Sequence, residues 1–310
     1  MSTIPAKPTV GWIGVGVMGE PMVQNLLAAG FPVGVWARRP DATAIVAEAG
    51  AVVYDCPCTL AAQSDVVILM VSDTPDVEAV LFDESGVVAG ARPGTLCIDM
   101  GTTDPTATRG LAARLEAAGL VFLDSPVSGG QAGAQAGTLS LMIGGPTTAV
   151  ERAHPVFEVL GGTRTHVGEA PGAGQTAKAC NQILVAQTLA AVGEALILAR
   201  ANGVDPARVR EALLGGFAYS KVLESHGQRM LTGDYTPGFK AALHQKDLRI
   251  ALENAATCGV ALPGSALAAQ YLNALVAEDT GGALDSAALV TRLEALAGQS
   301  IRGDDEAEAG

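Results

Sequence analysis

The sequence predicts an α/β chain: a doubly wound, mostly parallel sheet in the N-terminal half, then an all-α C-terminal part, the two joined by a long helix. Three observations predict it. From residue 9 to about 167, short apolar runs alternate with helical stretches ending in Gly, the pattern of a parallel sheet with crossover helices. After Pro171 the strand-like runs vanish, and helical segments follow one another to residue 298. At the junction, one Ala/Leu-rich run from about Gly174 to Ala201 would extend about 42 Å at 1.5 Å per residue. The implied domains are 1–171 and 172–300, followed by a disordered acidic tail at 301–310, which reads RGDDEAEAG after Ile301.

In chain order, the strand TVGWIG precedes the helix MGEPMVQNLLAAG, and PVGVW precedes PDATAIVAEAG. DVVILMV leads into TPDVEAVLF, and TLCIDM into DPTATRGLAARLEAAG; LVFLDS and LSLMIGG complete the strands. Thr74-Pro75 and Asp104-Pro105 fit an N-cap followed by Pro at the first helical position. The run from Gly174 is apolar on most faces, which marks a buried helix. Gln182, Gln187, Thr188 and Glu194 interrupt it too often for a membrane span.

With 310 residues, 49% of them hydrophobic, each domain can bury its own core. The net charge of −13 repels phosphate backbones, so nucleic acid and anionic membranes are not expected partners. The N-terminus, MSTIPAKPTV, lacks an apolar leader, and the expected location is cytoplasmic. Five cysteines at irregular spacing suit free thiols better than a disulfide framework, and Cys56-Pro57-Cys58 lacks the second pair a zinc site would need. None of the four histidines falls at metal-ligand spacing, so no metal is expected.

Chemistry concentrates in three stretches. Gly14-Val15-Gly16-Val17-Met18-Gly19 follows a strand and opens a helix, as a dinucleotide-binding turn of Rossmann type requires. Its glycines allow a tight turn, close approach to a pyrophosphate and tight helix packing, while the helix N-terminus supplies N–H donors. At the end of the second strand, Ala37 stands where an acid would select NAD, and Arg38 and Arg39 could clamp a 2′-phosphate. The favoured cofactor is therefore NADP, with NAD possible. Arginines that merely solubilise a loop are the plainer alternative.

The second stretch runs from Asp124-Ser125-Pro126-Val127 to Ser128-Gly129-Gly130. Ser128 and the N–H groups of the two glycines could cradle a carboxylate at a strand's end, although a flexible crossover loop would look the same. In the third, GAGQTAKACNQ, Lys178 shares a helix face with Asn181 and Gln182. Upstream glycines would let ligands approach, and partial burial would lower the lysine's pKa toward that of a general acid. Asn181 could orient the lysine or a substrate hydroxyl. A solvated first-turn lysine is the commoner fate of that residue.

The segments GWIGVGVMGEPM, DSPVSGGQAGAQAGTLSLMIGG, GAGQTAKACNQ and ALHQKDL, in this order, resemble the β-hydroxyacid dehydrogenase family across residues 9 to 298. Within it, GGFAYSKVLESHGQRM and PGFKAALHQKDLRIAL look more like members that reduce tartronate semialdehyde than those that oxidise 3-hydroxyisobutyrate. The resemblance implies an NAD(P)H-dependent reduction of a short β-oxo acid to the β-hydroxy acid glycerate, reversibly. It assigns catalysis to Lys178 with Asn181 beside it, and the substrate carboxylate to Ser128, Gly129 and Gly130. It puts Thr102 near the nicotinamide and Lys246 near cofactor or substrate, with Asp247 anchoring that lysine's helix. A homodimer or homotetramer is implied as well.

Two departures stand out. Gly101 occupies a run that is often serine-rich in relatives, and Cys180 replaces an aliphatic residue, most simply as a small buried hydrophobe. A sister dehydrogenase for 3-hydroxyisobutyrate or a larger hydroxy acid, an imine reductase, and a non-catalytic dinucleotide-binding module are the competing readings.

Overall fold

The computed structural model describes residues 7–302, and the chain divides into two compact units, one through Lys178 and one from Ala179. Among the described residues, nine strands form one sheet in the first unit: β1 (Val10–Ile13), β2 (Val33–Trp36), β3 (Val52–Val53), β4 (Val66–Leu69), β5 (Leu96–Asp99), β6 (Val121–Asp124), β7 (Val127–Ser128), β8 (Leu139–Gly144) and β9 (Gly161–Gly168). Their order is β3-β2-β1-β4-β5-β6-β8-β7, with β9 also on β8. Pairing is parallel from β3 through β6, then antiparallel where β8 meets β6 and β7. β1 lies between β2 and β4, so the chain winds outward in both directions from it. In such a sheet the crevice beyond the strands' carboxyl ends is the usual ligand seat.

Residues of β1, β4 and β5 are buried throughout, which is why these strands read as continuous apolar runs. Side chains alternate between two cores. Val10, Trp12, Ile68 and Ile98 join Met22, Leu26 and Phe157 in one, whereas Ile13, Val67, Leu69 and Cys97 join Leu60, Leu81 and Leu115 in the other.

Three strands are not legible in the sequence. β3 is two exposed residues, β7 is two residues inside the serine-glycine stretch, and β9 exposes most of its GGTRTHVG run. β9 carries no apolar period and exists because β8 supplies its hydrogen-bond ladder. Helix punctuation also shifts once. The helix Thr74–Phe82 is capped by Asp73, whose carboxylate accepts from Thr74 N at 2.7 Å, rather than by Thr74. Asp104 caps Pro105–Ala117 as expected, accepting from Ala107 N at 2.6 Å.

The long helix spans Ala173–Ala201, 29 residues, beginning one residue earlier than its pattern suggests. Its mean hydropathy reaches 1.7 over an 18-residue window, long and apolar enough by length and composition to cross a membrane, yet only 44% of that window is buried. Ala186, Leu189, Val192 and Leu196 enter the cores of the second unit, while Cys180, Leu184, Gln187, Glu194 and Leu198 form an exposed stripe. The expectation of a helix buried on most faces is thereby corrected. Cys180 in particular is exposed, not a buried hydrophobe.

Beyond it come helices Pro206–Leu214, Lys221–Thr232, Ala241–Thr257, Pro263–Val276 and Val290–Ala297, with no strand among the described residues of this unit. Asp285 ties a loop to the end of this bundle, accepting from Gly238 N, Phe239 N and Ala287 N. Ile301, which the sequence assigns to the tail, is buried, and its carbonyl accepts from Arg200 Nε and Nη2. The rest of the expected tail, from residue 303, lies outside the described residues.

The expectation of five free thiols also fails. Cys56 and Cys58 are joined as a disulfide, their Cα atoms 5.4 Å apart, leaving buried Cys97 and exposed Cys180 and Cys258 free. Among the described residues, no group of three or more His, Cys, Asp or Glu side chains could hold a metal.

Candidate active site

The glycine turn sits at the carboxyl end of β1, where strand order reverses. Gly14 adopts φ +101°, a conformation reserved in practice for glycine, and a Cβ there would lie 2.3 Å from the Met70 carbonyl. A Cβ on Gly16 would meet nothing within 4 Å, so its backbone is open to a ligand, while Gly19 packs against the Gly14 carbonyl. These are the three duties a dinucleotide-binding turn asks of its glycines.

A cleft of about 510 Å³ opens beside this turn, lined among others by Gly14, Val15, Gly16, Arg38, Arg39 and Asp76. The glycines and both arginines therefore converge, whereas Val17, Met18 and Gly19 lie outside the lining; Val17 is exposed and Met18 packs on the core. Arg38 Nη1 meets Asp76 Oδ1 at 3.2 Å, a pair the sequence does not announce. The residues present fit a dinucleotide, with open backbone for a pyrophosphate and guanidinium groups in the same cleft.

A second cluster surrounds the carboxyl ends of β5 and β6. Asp99 Oδ1 accepts from Gly101 N at 2.9 Å and its Oδ2 accepts from Thr103 Oγ1 at 2.8 Å, curling the MGTT loop that carries half-buried Thr102. Gln175 clasps the same loop, donating through Nε2 to the Gly101 carbonyl at 2.9 Å and accepting from Thr103 N at 3.1 Å. Asp124 holds the start of the long helix, accepting from Gly172 N at 2.7 Å and Gln175 N at 2.8 Å. Burial pushes the Asp124 carboxyl above its ordinary value of 3.8, against the backbone donors that pull it down.

These anchors seat Lys178, one turn beyond Gln175 and only 7% exposed, so the solvated-lysine alternative fails on burial. Glycine's role here differs from the expected one. A Cβ on Gly174 would sit 2.2 Å from the Met142 carbonyl and 2.8 Å from that of Asp124, so Gly174 lets the helix approach the sheet, not a ligand. Gly101 has an equally local cause, since a Cβ there would stand 2.6 Å from the Val71 carbonyl. Asp99, Asp124 and Gln175 were missed by sequence reasoning; the available signal was a carboxylate ending each of two apolar strands.

Ser128 ends β7 opposite Ser140, and Gly129 (φ +138°) and Gly130 (φ +60°) turn the chain into the short helix Gly130–Ala136. In the second unit, half-buried Asn181 follows Lys178 on the long helix. Gln182, four residues beyond Lys178, bonds to the second unit's Asp247. Its Nε2 donates to Asp247 Oδ2 at 2.7 Å, and the other Asp247 oxygen meets Lys246 Nζ at 2.8 Å. Asp247 thus pins Lys246 to the long helix, which supplies the physical argument for its anchoring role.

Comparison with known proteins agrees with this reading. Residues 9–168 match the NAD binding domain of 6-phosphogluconate dehydrogenase, and residues 172–293 match the NAD-binding domain of NADP-dependent 3-hydroxyisobutyrate dehydrogenase. The chain is 44% identical to 2-hydroxy-3-oxopropionate reductase of Escherichia coli K12, over 94% of this chain and 99% of that protein. L-threonate dehydrogenase of Cupriavidus necator is 36% identical, over 90% of this chain and 94% of its own length. Among solved structures, Mycobacterium tuberculosis 3-hydroxyisobutyrate dehydrogenase with L-serine superposes with a TM-score of 0.86 at 34% identity, covering 93% of this chain and 99% of that one. Imine reductases share the fold alone, that of Myxococcus stipitatus with NADP+ at 20% identity and a TM-score of 0.62. A sheet ordered about the glycine turn, a cleft beside that turn, a buried lysine and these matches along nearly the whole chain lead to one conclusion: the protein is an NAD(P)-binding oxidoreductase belonging to the β-hydroxyacid dehydrogenase family.

Proposed function

We propose that the chain reduces a short β-oxo acid, tartronate semialdehyde, to glycerate, with NADPH favoured over NADH. The observation that carries the reading is Lys178, held 7% exposed on a helix whose first turn is latched by Asp124 and Gln175. The identity to the E. coli reductase supports the choice of substrate. The reduced nicotinamide, when bound, supplies the hydride.

In this mechanism Lys178 donates a proton from Nζ to the carbonyl oxygen as negative charge develops there, and accepts it in the reverse direction. Burial disfavours the ammonium form in general, which eases proton release. Asn181 orients the substrate hydroxyl or the lysine. Ser128 and the N–H groups of Gly129 and Gly130 take the carboxylate, their backbone donors supplying attraction in a chain of net charge −13. Thr102 borders the nicotinamide, and Lys246, held by Asp247, reaches cofactor or substrate. In the Gly14–Gly19 turn, the open backbone at Gly14, Val15 and Gly16 would cradle the pyrophosphate, with Val17, Met18 and Gly19 shaping the turn behind it and Arg38 and Arg39 at the 2′-phosphate. A sheet domain at 1–171 with a helical substrate domain at 172–300, a homodimeric or homotetrameric assembly, and a cytoplasmic location are part of this proposal.

Three measurements test it. Lys178→Ala should lose nearly all turnover while cofactor binding remains measurable; wild-type-like turnover would sink the assignment. A panel of tartronate semialdehyde, 3-hydroxyisobutyrate, L-threonate and L-serine, compared by kcat/KM with both cofactors, should rank the semialdehyde first. Arg38→Ala should weaken NADPH binding more than NADH binding, and an unchanged preference would remove the clamp.

A further inference from the structure

Pro57, between Cys56 and Cys58, lines the cleft beside the glycine turn. Both cysteines are half-buried, with Pro57 buried between them. Their Cα separation of 5.4 Å falls in the range a disulfide spans without backbone movement. The tripeptide starts the helix Pro57–Ala62, and Thr59 N donates to Cys56 Sγ at 3.3 Å, a donor able to receive a thiolate.

One link joins this tripeptide to another cleft residue, and two further contacts flank it. Trp36 Nε1, from a lining residue, donates to the Asp55 carbonyl at 3.2 Å. Cys58 N donates to the carbonyl of lining Ser85 at 3.0 Å. The helix Val87–Gly90 closes over the other side, for a Cβ on Gly90 would lie 1.9 Å from the Cys58 carbonyl. A change in the backbone at 56–58 therefore reaches the cleft through Pro57 itself and through Ser85. Metal binding does not explain the pair, since no third ligand is grouped with it among the described residues.

We propose that Cys56 and Cys58 form a reversible dithiol–disulfide site that takes low-molecular-weight disulfides and sets the affinity of the adjoining cleft for its nucleotide. This rests on the reading of the cleft as the nucleotide's seat. In the oxidising direction the Cys56 thiolate attacks one sulfur of the small disulfide, forming a mixed disulfide and releasing one thiolate. The Cys58 thiolate then attacks the Cys56 sulfur, the Cys56–Cys58 bond forms, and the second small thiolate leaves. Two protein thiols lose two electrons and two protons, and one small disulfide becomes two small thiols. The closed ring holds the cleft wall in place; opening it restores freedom that nucleotide binding must then remove.

The full-length protein, equilibrated across glutathione to glutathione-disulfide ratios, tests this by denaturing alkylation and mass measurement alongside NADPH titration. The reduced chain should take five alkyl groups and the oxidised chain two fewer, both lost from the peptide containing Cys56 and Cys58. NADPH should bind about threefold or more weakly to the reduced protein, and Cys56→Ser should show the weak value at every ratio. Buried Cys97, whose thiol burial pushes up to about 12, is not expected to exchange with glutathione in the folded protein and takes its alkyl group only on denaturation. Failure of any ratio to remove two thiols overturns the proposal, as does loss of both thiols with an unchanged dissociation constant. Arg38→Ala separates the two readings. If it weakens NADPH binding while redox state does not, only the thiol coupling falls; if neither has any effect, the cleft assignment falls too.

Discussion

Asp124→Asn tests whether the latch at the start of the long helix matters to catalysis. The carboxylate accepts two backbone N–H bonds, at 2.7 and 2.8 Å, at a site fully out of solvent. Hydrogen bonds to charged groups are worth about 1.5–3 kcal/mol each. The amide keeps one oxygen but turns its NH₂ toward the other N–H donor, so one bond is lost and a buried donor is stranded, costing about 2–4 kcal/mol. Against this, burial already disfavours the charge enough to raise the carboxyl's pKa, so a neutral side chain recovers part of the loss. The net expectation is a loss of about 2 kcal/mol, or about 4–8 °C in Tm.

Gln175, one of the two anchored residues, lies one helical turn before Lys178, so a loosened latch should also lower kcat by about tenfold or more, with KM changing less. The pH dependence carries a second signature. Because the folded carboxyl has a pKa above 3.8, the folded state binds more protons in the window just above that value. Wild-type stability should fall as pH rises through it, and the Asn variant should lack that fall. Thermal unfolding from pH 3.5 to 8 and steady-state kinetics read both effects. An Asn variant with unchanged Tm and kcat would refute the latch, and a lowered Tm with intact kcat would confine it to stability.

Gly101→Ser, which restores the hydroxyl relatives often carry, should destabilise the protein by about 1–3 kcal/mol and lower turnover, because its Cβ would sit 2.6 Å from the Val71 carbonyl; equal Tm would show that the loop yields. Asp76→Asn frees Arg38 from its exposed partner and should tighten NADPH binding by about two- to fivefold while leaving NADH nearly unchanged, as read by titration; equal effects on both would exclude a role at the 2′-phosphate. His226 is held below its ordinary 6.5 chiefly by burial, helped by Arg229 and opposed by Asp285. Its contribution is therefore present above pH 6.5 and lost as pH falls through the folded pKa, so wild-type Tm should drop on acidification more than that of His226→Gln; parallel profiles would remove it from the acid response.

Some of this molecule is legible in its residues alone. The glycine turn, the alternating strands and helices and the long Ala/Leu run are local patterns, and local patterns follow from period, turn chemistry and helix punctuation within a few residues. β9 is not legible, because its exposed GGTRTHVG run has no period and owes its strand to the β8 backbone alone. Nor was the exposure of Cys180, since a nearly all-apolar helix does not say which stripe will lack a neighbour. Lys178 could be singled out from GAGQTAKACNQ, but its burial and its seat on Asp124 and Gln175 could not. Asp124 lies 51 residues from Gln175 in sequence. By itself the sequence determined the fold class, the cofactor class and the lysine; the tertiary structure decided which carboxylates hold that lysine's helix, that Asp76 faces Arg38, and that Cys56 and Cys58 are joined on either side of Pro57 at the cleft. Those facts depend on strand ends meeting across the sheet, and a pairing between distant residues leaves no mark in the local spacing of either one.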